Sequence, residues 1–485
     1  MRQIVLVSIY SLVLAGAALA QSGGALSPLV RGFVSVQAPV VALTHVRVID
    51  GTGAAPAEDQ TVIVDQGKIT ALGPSSSTPA PEGAKILDLS GDTVIPGLVG
   101  MHDHLFYPSQ LAKARAEGPV ILYQEMGYSF PRLYLACGVT TLRTTGSIEP
   151  YTDLSLKKLI DRGQTPGPAM YVTGPYLEGA GAYTPNMHEL SGPADATRTV
   201  DYWAAEGVSN FKAYMHITRA ELRAAVVDAH ARGLKITGHL CSIGFREAAS
   251  LGIDDLEHGL FVDTEFDPGK KPDACPSQRL TEETMSKLDI EGAPVQAMIR
   301  DLVQHHVAVT STLPVFELSV PGLPPLEPRV LQALAPAAAI DYLTFRARVA
   351  AGRHSPMPAD LQKEMEFERD FVKAGGLLLA GEDPTGGGGD LAGFGDQREV
   401  ELLVEAGFRP VEAIHIATEN GARYLGLDSK IGTIAAGKDA DLMVIHGNPA
   451  AQIHDIENAQ TVFKDGVGYD SARLIESVRG AVGLH

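Results

Sequence analysis

Val94-Ile95-Pro96-Gly97-Leu98-Val99-Gly100-Met101-His102-Asp103-His104 is an apolar run that ends in two histidines one residue apart. In an extended strand, residues i and i+2 point to the same side. Two imidazoles at that spacing can converge on one metal ion from a single strand end. Taken alone, a His-x-His pair in a chain with fifteen histidines is as readily a surface or core pair. The later apolar runs decide between the two readings.

Val208 to Phe211 leads into Lys212, and Leu234 to Gly238 leads into His239. Ile253 to Glu257 leads into His258, and Gly376 to Glu382 leads into Asp383. Each run is short and strand-like and ends in a potential metal ligand or ligand precursor. Helix-like stretches such as Arg219 to Arg232 lie between them. This alternation predicts an α/β fold, a (β/α)8 TIM-like barrel. The strand C-terminal ends of such a barrel share one mouth, where the chemistry of these enzymes sits. Positions far apart in sequence would then gather into one site.

With these runs and three further stretches, the chain resembles the amidohydrolase superfamily, in its imidazolonepropionase-like and prolidase-like branch with a binuclear metal centre. The further stretches are Ala136-Cys137-Gly138-Val139-Thr140-Thr141, Thr418-Glu419-Asn420-Gly421-Ala422-Arg423 and Gly432 to Leu442. The resemblance covers nearly the whole chain after its first residues, and it is far more specific for the superfamily than for a substrate. It implies that His102, His104 and Asp383 hold the more buried of two divalent ions, and that His239 and His258 hold the second. Zinc suits imidazole and carboxylate ligands and leaves an open position for solvent. It also implies a CO2-derived carbamate on Lys212 whose oxygens bridge the metals, since a bare ammonium would repel two dications. Solvent shared by the ions would act as nucleophile, with Asp383 as general base and then general acid.

Tyr214, which shares a strand face with Lys212, is read either as a substrate contact or as plain packing. His188, in the Gly/Pro-rich loop Gly179 to Pro193, is read either as a substrate contact or as an ordinary loop histidine. Arg143, at the end of Thr140-Thr141-Leu142, is expected either to bind a substrate carboxylate bidentately or to form a structural ion pair. Relatives often carry an acidic residue just after this arginine. Thr144-Thr145-Gly146 follows here, which weakens any carry-over of contacts from that strand. His305, His306, His415, His446 and His485 follow no suitable strand end and are read as ordinary surface or packing residues.

Residues 40–96 alternate as short strands with turns (Val46, Val48, Val62, Val64, Ile69), and residues 426–485 have the same character. Neither half makes a β-domain alone. Together they predict a small β-sandwich built from both ends of the chain, flanking a barrel over 97–425. Residues 1–20 read as a signal peptide, with Arg2, an apolar stretch from Ile4 to Leu14 and Ala18-Leu19-Ala20 before Gln21. The expected destination is periplasmic or secreted. Residues 21–39 are expected to be a loosely held lead-in.

Of the three cysteines, Cys137 is expected to be a buried thiol. Cys241 and Cys275 fall in loops after neighbouring strands and are expected to be bridged, in keeping with export. The long, proline-rich stretch Pro314 to Pro358 is read as a lid over the mouth. Gly386-Gly387-Gly388-Gly389 lacks the Gly-Lys-Ser/Thr ending of a phosphate loop and is read as flexible mouth backbone.

A formal charge of −19 argues against a nucleic-acid partner, and no later stretch is long and apolar enough to span a membrane. A homo-oligomer is left open. The leading expectation is hydrolysis of an amide C–N bond in a small or dipeptide-like substrate, by a dipeptidase or N-acyl amino acid hydrolase. Cyclic amides, lactones or esters are the alternative for the same centre. A deaminase fits less well, because that branch uses one metal and no bridging lysine. A non-catalytic scaffold relative would have lost ligands, and all six positions are intact.

Overall fold

The computed structural model describes residues 26–109, 122–352 and 355–483. The expected signal peptide lies outside the described residues. Eight strands form the barrel: β1 (Leu98–Asp103), β2 (Val139–Thr144), β3 (Ala169–Leu177), β4 (Asn210–Ala213), β5 (Lys235–Gly238), β6 (Asp255–Glu257), β7 (Ala308–Ser311) and β8 (Leu378–Ala380). They pair in sequence order, and every pair is parallel. The ring draws shut where the Asp383 amide donates to the His102 carbonyl at 2.9 Å. Only glycine fits at Gly381 beside that junction, since a Cβ there would stand 2.4 Å from the His102 nitrogen and Cβ. The (β/α)8 expectation is therefore met.

β1 and β2 are buried along their whole length, as strands covered on both faces must be. Lys212 lies within β4, not beyond its end. The helix Arg219–Ala231 shows how the layer outside is built. Thr218 and Glu221 close a reciprocal cap on its first turn, which contributes about 0.5–2 kcal/mol. Leu222, Ala225, Val226 and Ala229, at helical spacing, form its buried side.

The two ends of the chain meet in one nine-stranded mixed sheet. Its seam is the antiparallel pairing of Asp92–Pro96 with Leu442–His446, which joins the N-terminal and C-terminal segments. Val41, Leu43, Val62, Val64, Val94, Leu442, Val444 and Phe463 share its core. The lead-in is not loose over its described part: Val34–Val36 pairs with Val467–Asp470, and Val30 is buried. An edge strand needs a partner for its backbone groups, and the lead-in supplies one.

Cys241 and Cys275 form a disulfide, and Cys137 is a buried free thiol. Burial pushes the Cys137 thiol well up. Denatured, unreduced protein is therefore expected to give one titratable thiol per chain, rising to three after reduction. Three thiols before reduction would exclude the bridge.

The proline-rich stretch folds into helices Leu313–Glu317, Pro328–Ala333 and Pro336–Ala351. The last of these packs on the glycine run. A Cβ at Gly387 or Gly389 would lie 2.3 Å from the Phe345 ring or 2.0 Å from that of Tyr342. Tyr107 also donates to the Gly388 carbonyl at 2.9 Å. The glycines are there for close packing, which corrects their reading as flexible backbone. No helix among the described residues is long and apolar enough to cross a membrane.

Candidate metal centre

The mouth of the barrel gathers His102 and His104 from β1, Lys212 from β4, His239 after β5, His258 after β6 and Asp383 after β8. His258 and Asp383 both have left-handed backbone, with φ of 68° and 58°. Few non-glycine residues adopt it, and it is a strain that concentrates at functional sites. Here it turns both side chains inward as the strands end.

The imidazoles point at Asp383. His104 Nε2 lies 3.4 Å from Asp383 Oδ1, and the Nε2 atoms of His102 and His258 each lie 3.8 Å from Oδ2. Lys212 Nζ is 3.1 Å from His102 Nε2. The His239 ring is 4.6 Å from that of His258, centroid to centroid. The far nitrogens of three of them are engaged. His102 Nδ1 meets Glu257 Oε2 at 2.6 Å, His104 Nδ1 meets the Gly146 carbonyl at 3.1 Å, and His258 Nδ1 meets the Thr312 hydroxyl at 2.7 Å.

A carboxylate or carbonyl accepts only from a protonated Nδ1, so His102 and His104 turn the Nε2 lone pair inward. Burial is the first cause holding the imidazoles neutral: His102 and His258 fall well below the usual range, His104 falls below it and His239 falls to about 3. His258 Nε2 is buried and has no hydrogen-bond partner among the described residues. His102, His258 and Asp383 bring ligand atoms within 4.8 Å of one another. Neutral imidazoles, inward lone pairs and one carboxylate are the donor set of a borderline divalent ion. The residues fit the metals that the sequence implies.

Burial works to raise Asp383, and the surrounding imidazoles outweigh it, so the carboxylate is held well below its ordinary range. Lys212 is almost fully buried, and no carboxylate of the described residues forms an ion pair with it. Burial brings its ammonium down to about 8.

Of the residues read as possible substrate contacts, Tyr214 lies beside the centre. Its ring packs 5.0 Å from His239 and 4.7 Å from Tyr176, and its hydroxyl donates to Tyr183 at 3.4 Å. Tyr183 in turn meets the Tyr123 hydroxyl at 2.9 Å, and Phe106 stacks on His104 at 4.4 Å. Sequence reading missed Tyr123, Tyr176 and Tyr183, because no pattern in the chain links these three separated tyrosines.

His188 is turned away from the centre. It is largely exposed and meets Asp195 at 3.2 Å, near the start of the helix Pro193–Glu206. A carboxylate at the first turn offsets the positive helix end, and His188 serves that carboxylate.

Arg143 takes the structural of its two expected roles and does not face substrate. It is fully buried, with Nη2 at 2.8 Å from Asp255 and 2.9 Å from Glu257, and it donates twice to the Met101 carbonyl. The guanidinium thus neutralises the two acids under the centre, one of which orients His102. Arg143→Met is expected to destabilise the fold by about 3–5 kcal/mol, because it leaves two buried carboxylates without a counter-charge. Urea unfolding checks this, and a loss under about 1 kcal/mol would contradict the role.

The class so defined is a closed parallel barrel with a histidine–carboxylate cluster, a candidate metal centre, at its C-terminal mouth. Residues 373–467 match the amidohydrolase family. Over that stretch the chain is similar to the amidohydrolase family.

A 68-residue stretch is 34% identical to the imidazolonepropionase of Idiomarina loihiensis and covers 14% of this chain and 17% of that protein's length. A Xaa-Pro dipeptidase solved with bound methionine in its active site has the same fold at 20% identity. The match covers 89% of this chain and all of that one, with a TM-score of 0.66. The bottromycin amidohydrolase AH is also 20% identical, over 94% of this chain and 96% of that one, with a TM-score of 0.67. An ochratoxinase from A. niger is 16% identical, over 92% and 100%, with a TM-score of 0.63.

Proposed function

We propose that this chain is an exported metal-dependent hydrolase that cleaves the amide C–N bond of a small substrate such as a dipeptide or N-acyl amino acid. The observation that carries the reading is the set of inward-facing neutral imidazoles around an ionised Asp383. The folds it shares with a dipeptidase and an amidohydrolase support the bond type. Export rests on the first twenty residues, and the Cys241–Cys275 bridge supports it.

Two zinc ions are proposed, which His102, His104, His239, His258 and Asp383 would hold, and Lys212 would join them as a CO2-derived carbamate. When bound, such ions lower the pKa of water and polarise a scissile carbonyl. Within the chain, Asp383 is the proton carrier. Its Oδ1 accepts from the Thr385 hydroxyl at 3.0 Å, which leaves Oδ2 to take a proton from attacking water and return it to the leaving nitrogen. The side chains of Phe106, Tyr123, Tyr176, Tyr183 and Tyr214 wall one side of the site. Burial, the first cause, raises the phenols of Tyr123, Tyr176, Tyr183 and Tyr214. They therefore remain donors, able to orient a carbonyl or carboxylate while their rings take up an apolar side chain.

The test is a hydrolysis screen of zinc-reconstituted protein against dipeptides and N-acyl amino acids, with Asp383→Asn as control. Cleavage by the wild type alone is the expected result. Silence from folded, metal-loaded protein on these substrates, with turnover of lactones or esters, would overturn the amide assignment.

A further inference from the structure

The strand alternation that sends His102 and His104 into the barrel sends the residue between them the other way. Asp103 is fully buried, and neither of its carboxylate oxygens has a hydrogen-bond partner among the described residues. Glu382, just before Asp383, lies beside it, and Asp396 joins from the first turn of the helix Phe394–Glu405. Ligand atoms of Asp103, Glu382 and Asp396 all lie within 4.8 Å of one another.

A fourth acid is aimed at the same place from a different segment. Asp390 is buried, with Oδ2 unpartnered among the described residues. Its Oδ1 stands 2.0 Å, and Glu382 Oε2 2.4 Å, from where a Cβ on Gly395 would be. Gly100 opens the opposite side, since a Cβ there would fall 2.0 Å from Asp103 Oδ2. The two glycines clear the space into which four carboxylates face.

The protein supplies almost nothing to neutralise them. Among the described residues, no lysine, arginine or histidine forms an ion pair with any of the four. Arg143, the nearest cation to act on Asp103, is held by Asp255 and Glu257. The donors that do reach the cluster are two backbone amides, Gly393 to Asp396 Oδ2 and Asp396 to Glu382 Oε2, both at 3.1 Å. The Tyr134 hydroxyl stands beside Glu382, but it donates to the His104 carbonyl at 2.9 Å. Buried charges without partners are too costly to persist, so the cluster holds either a cation or shared protons.

We propose that Asp103, Glu382, Asp390 and Asp396 form a separate binding site for a hard divalent cation, Ca2+, on the outer side of β1 and β8. All-oxygen donors select hard cations, whereas the imidazoles across the strand select zinc. Calcium accepts six to eight oxygens in irregular arrangements; magnesium demands a regular octahedron and keeps its waters. The cation would also tie together the residues next to His102, His104 and Asp383, and so position those three.

The test is a metal count on wild-type protein stripped by chelation, reloaded with zinc, and dialysed against Ca2+, Mg2+ or Mn2+. One calcium equivalent per chain is expected, with a melting temperature that rises with calcium concentration. Asp396→Asn and Asp390→Asn are expected to lose the calcium equivalent and the calcium-dependent shift while keeping their zinc.

No calcium bound to the wild type, with an unmoved melting temperature, would overturn the site and leave shared protons as the explanation. Zinc filling the extra position in place of calcium would overturn the hard-cation assignment. The wild-type count stands whether or not a variant folds. It also stands whatever the hydrolysis screen shows, so failure of one proposal does not conceal failure of the other.

Discussion

Asp383→Asn is expected to lower kcat by about 10²- to 10⁴-fold, the usual contribution of a positioned acid–base group, or roughly 3–5 kcal/mol of barrier. The substitution keeps shape and volume, and the backbone bond from residue 383 to the His102 carbonyl does not depend on the side chain. Folding and barrel closure should therefore survive. What is lost is the proton acceptor at Oδ2, because an amide cannot take a proton from water near neutral pH. KM should change much less than kcat.

The residue is also proposed as a ligand, so metal content must be measured on the same sample. A fall in kcat that outlasts full metal reconstitution assigns the loss to proton transfer. Turnover near the wild-type level would remove Asp383 from the role, whatever the metal content.

Lys212→Ala is expected to empty both metal positions, and activity should fall with them. The lysine is almost fully buried and 3.1 Å from His102 Nε2, without a carboxylate partner among the described residues. An ammonium there would oppose the binding of dications, and a carbamate would attract them. Removing the side chain leaves a space that a short carboxylate can enter. Formate, acetate or propionate is therefore expected to restore part of the metal content and activity in the variant and to do nothing for the wild type.

Labelled CO2 offers a direct check. The wild type, loaded with metal, should show a carbamate carbon by 13C NMR that the variant lacks. Unchanged zinc in Lys212→Ala would contradict a bridging role.

These two expectations come from positions that the sequence makes legible for a simple reason. A barrel places the end of every strand at one mouth, so a candidate ligand that follows an apolar run is already located by the fold class. His102, His104, Lys212, His239, His258 and Asp383 could be read off in this way without coordinates. The seam between chain ends was legible too, since neither half has enough alternating strands to close a core alone.

Arg143 shows where that reasoning stops. It ends a strand like the others, but whether a long side chain turns up into the mouth or down into the core depends on which charges wait below. Asp255 and Glu257 come from a strand more than a hundred residues later. His188 stops short for the same reason, drawn to a helix-end carboxylate that its own loop gave no hint of.

The sequence by itself determined the barrel, the two-ended sheet and the order of the six strand-end positions that meet at the mouth, because strand periodicity and strand-end placement are local properties repeated along the chain. Only the tertiary structure decided which imidazole nitrogens face inward, which tyrosines wall the site, and that Asp103, Glu382, Asp390 and Asp396 share one buried space. Those outcomes depend on burial and on charges brought together from distant segments, and a carboxylate's partners are set by what packs against it, not by its neighbours in sequence.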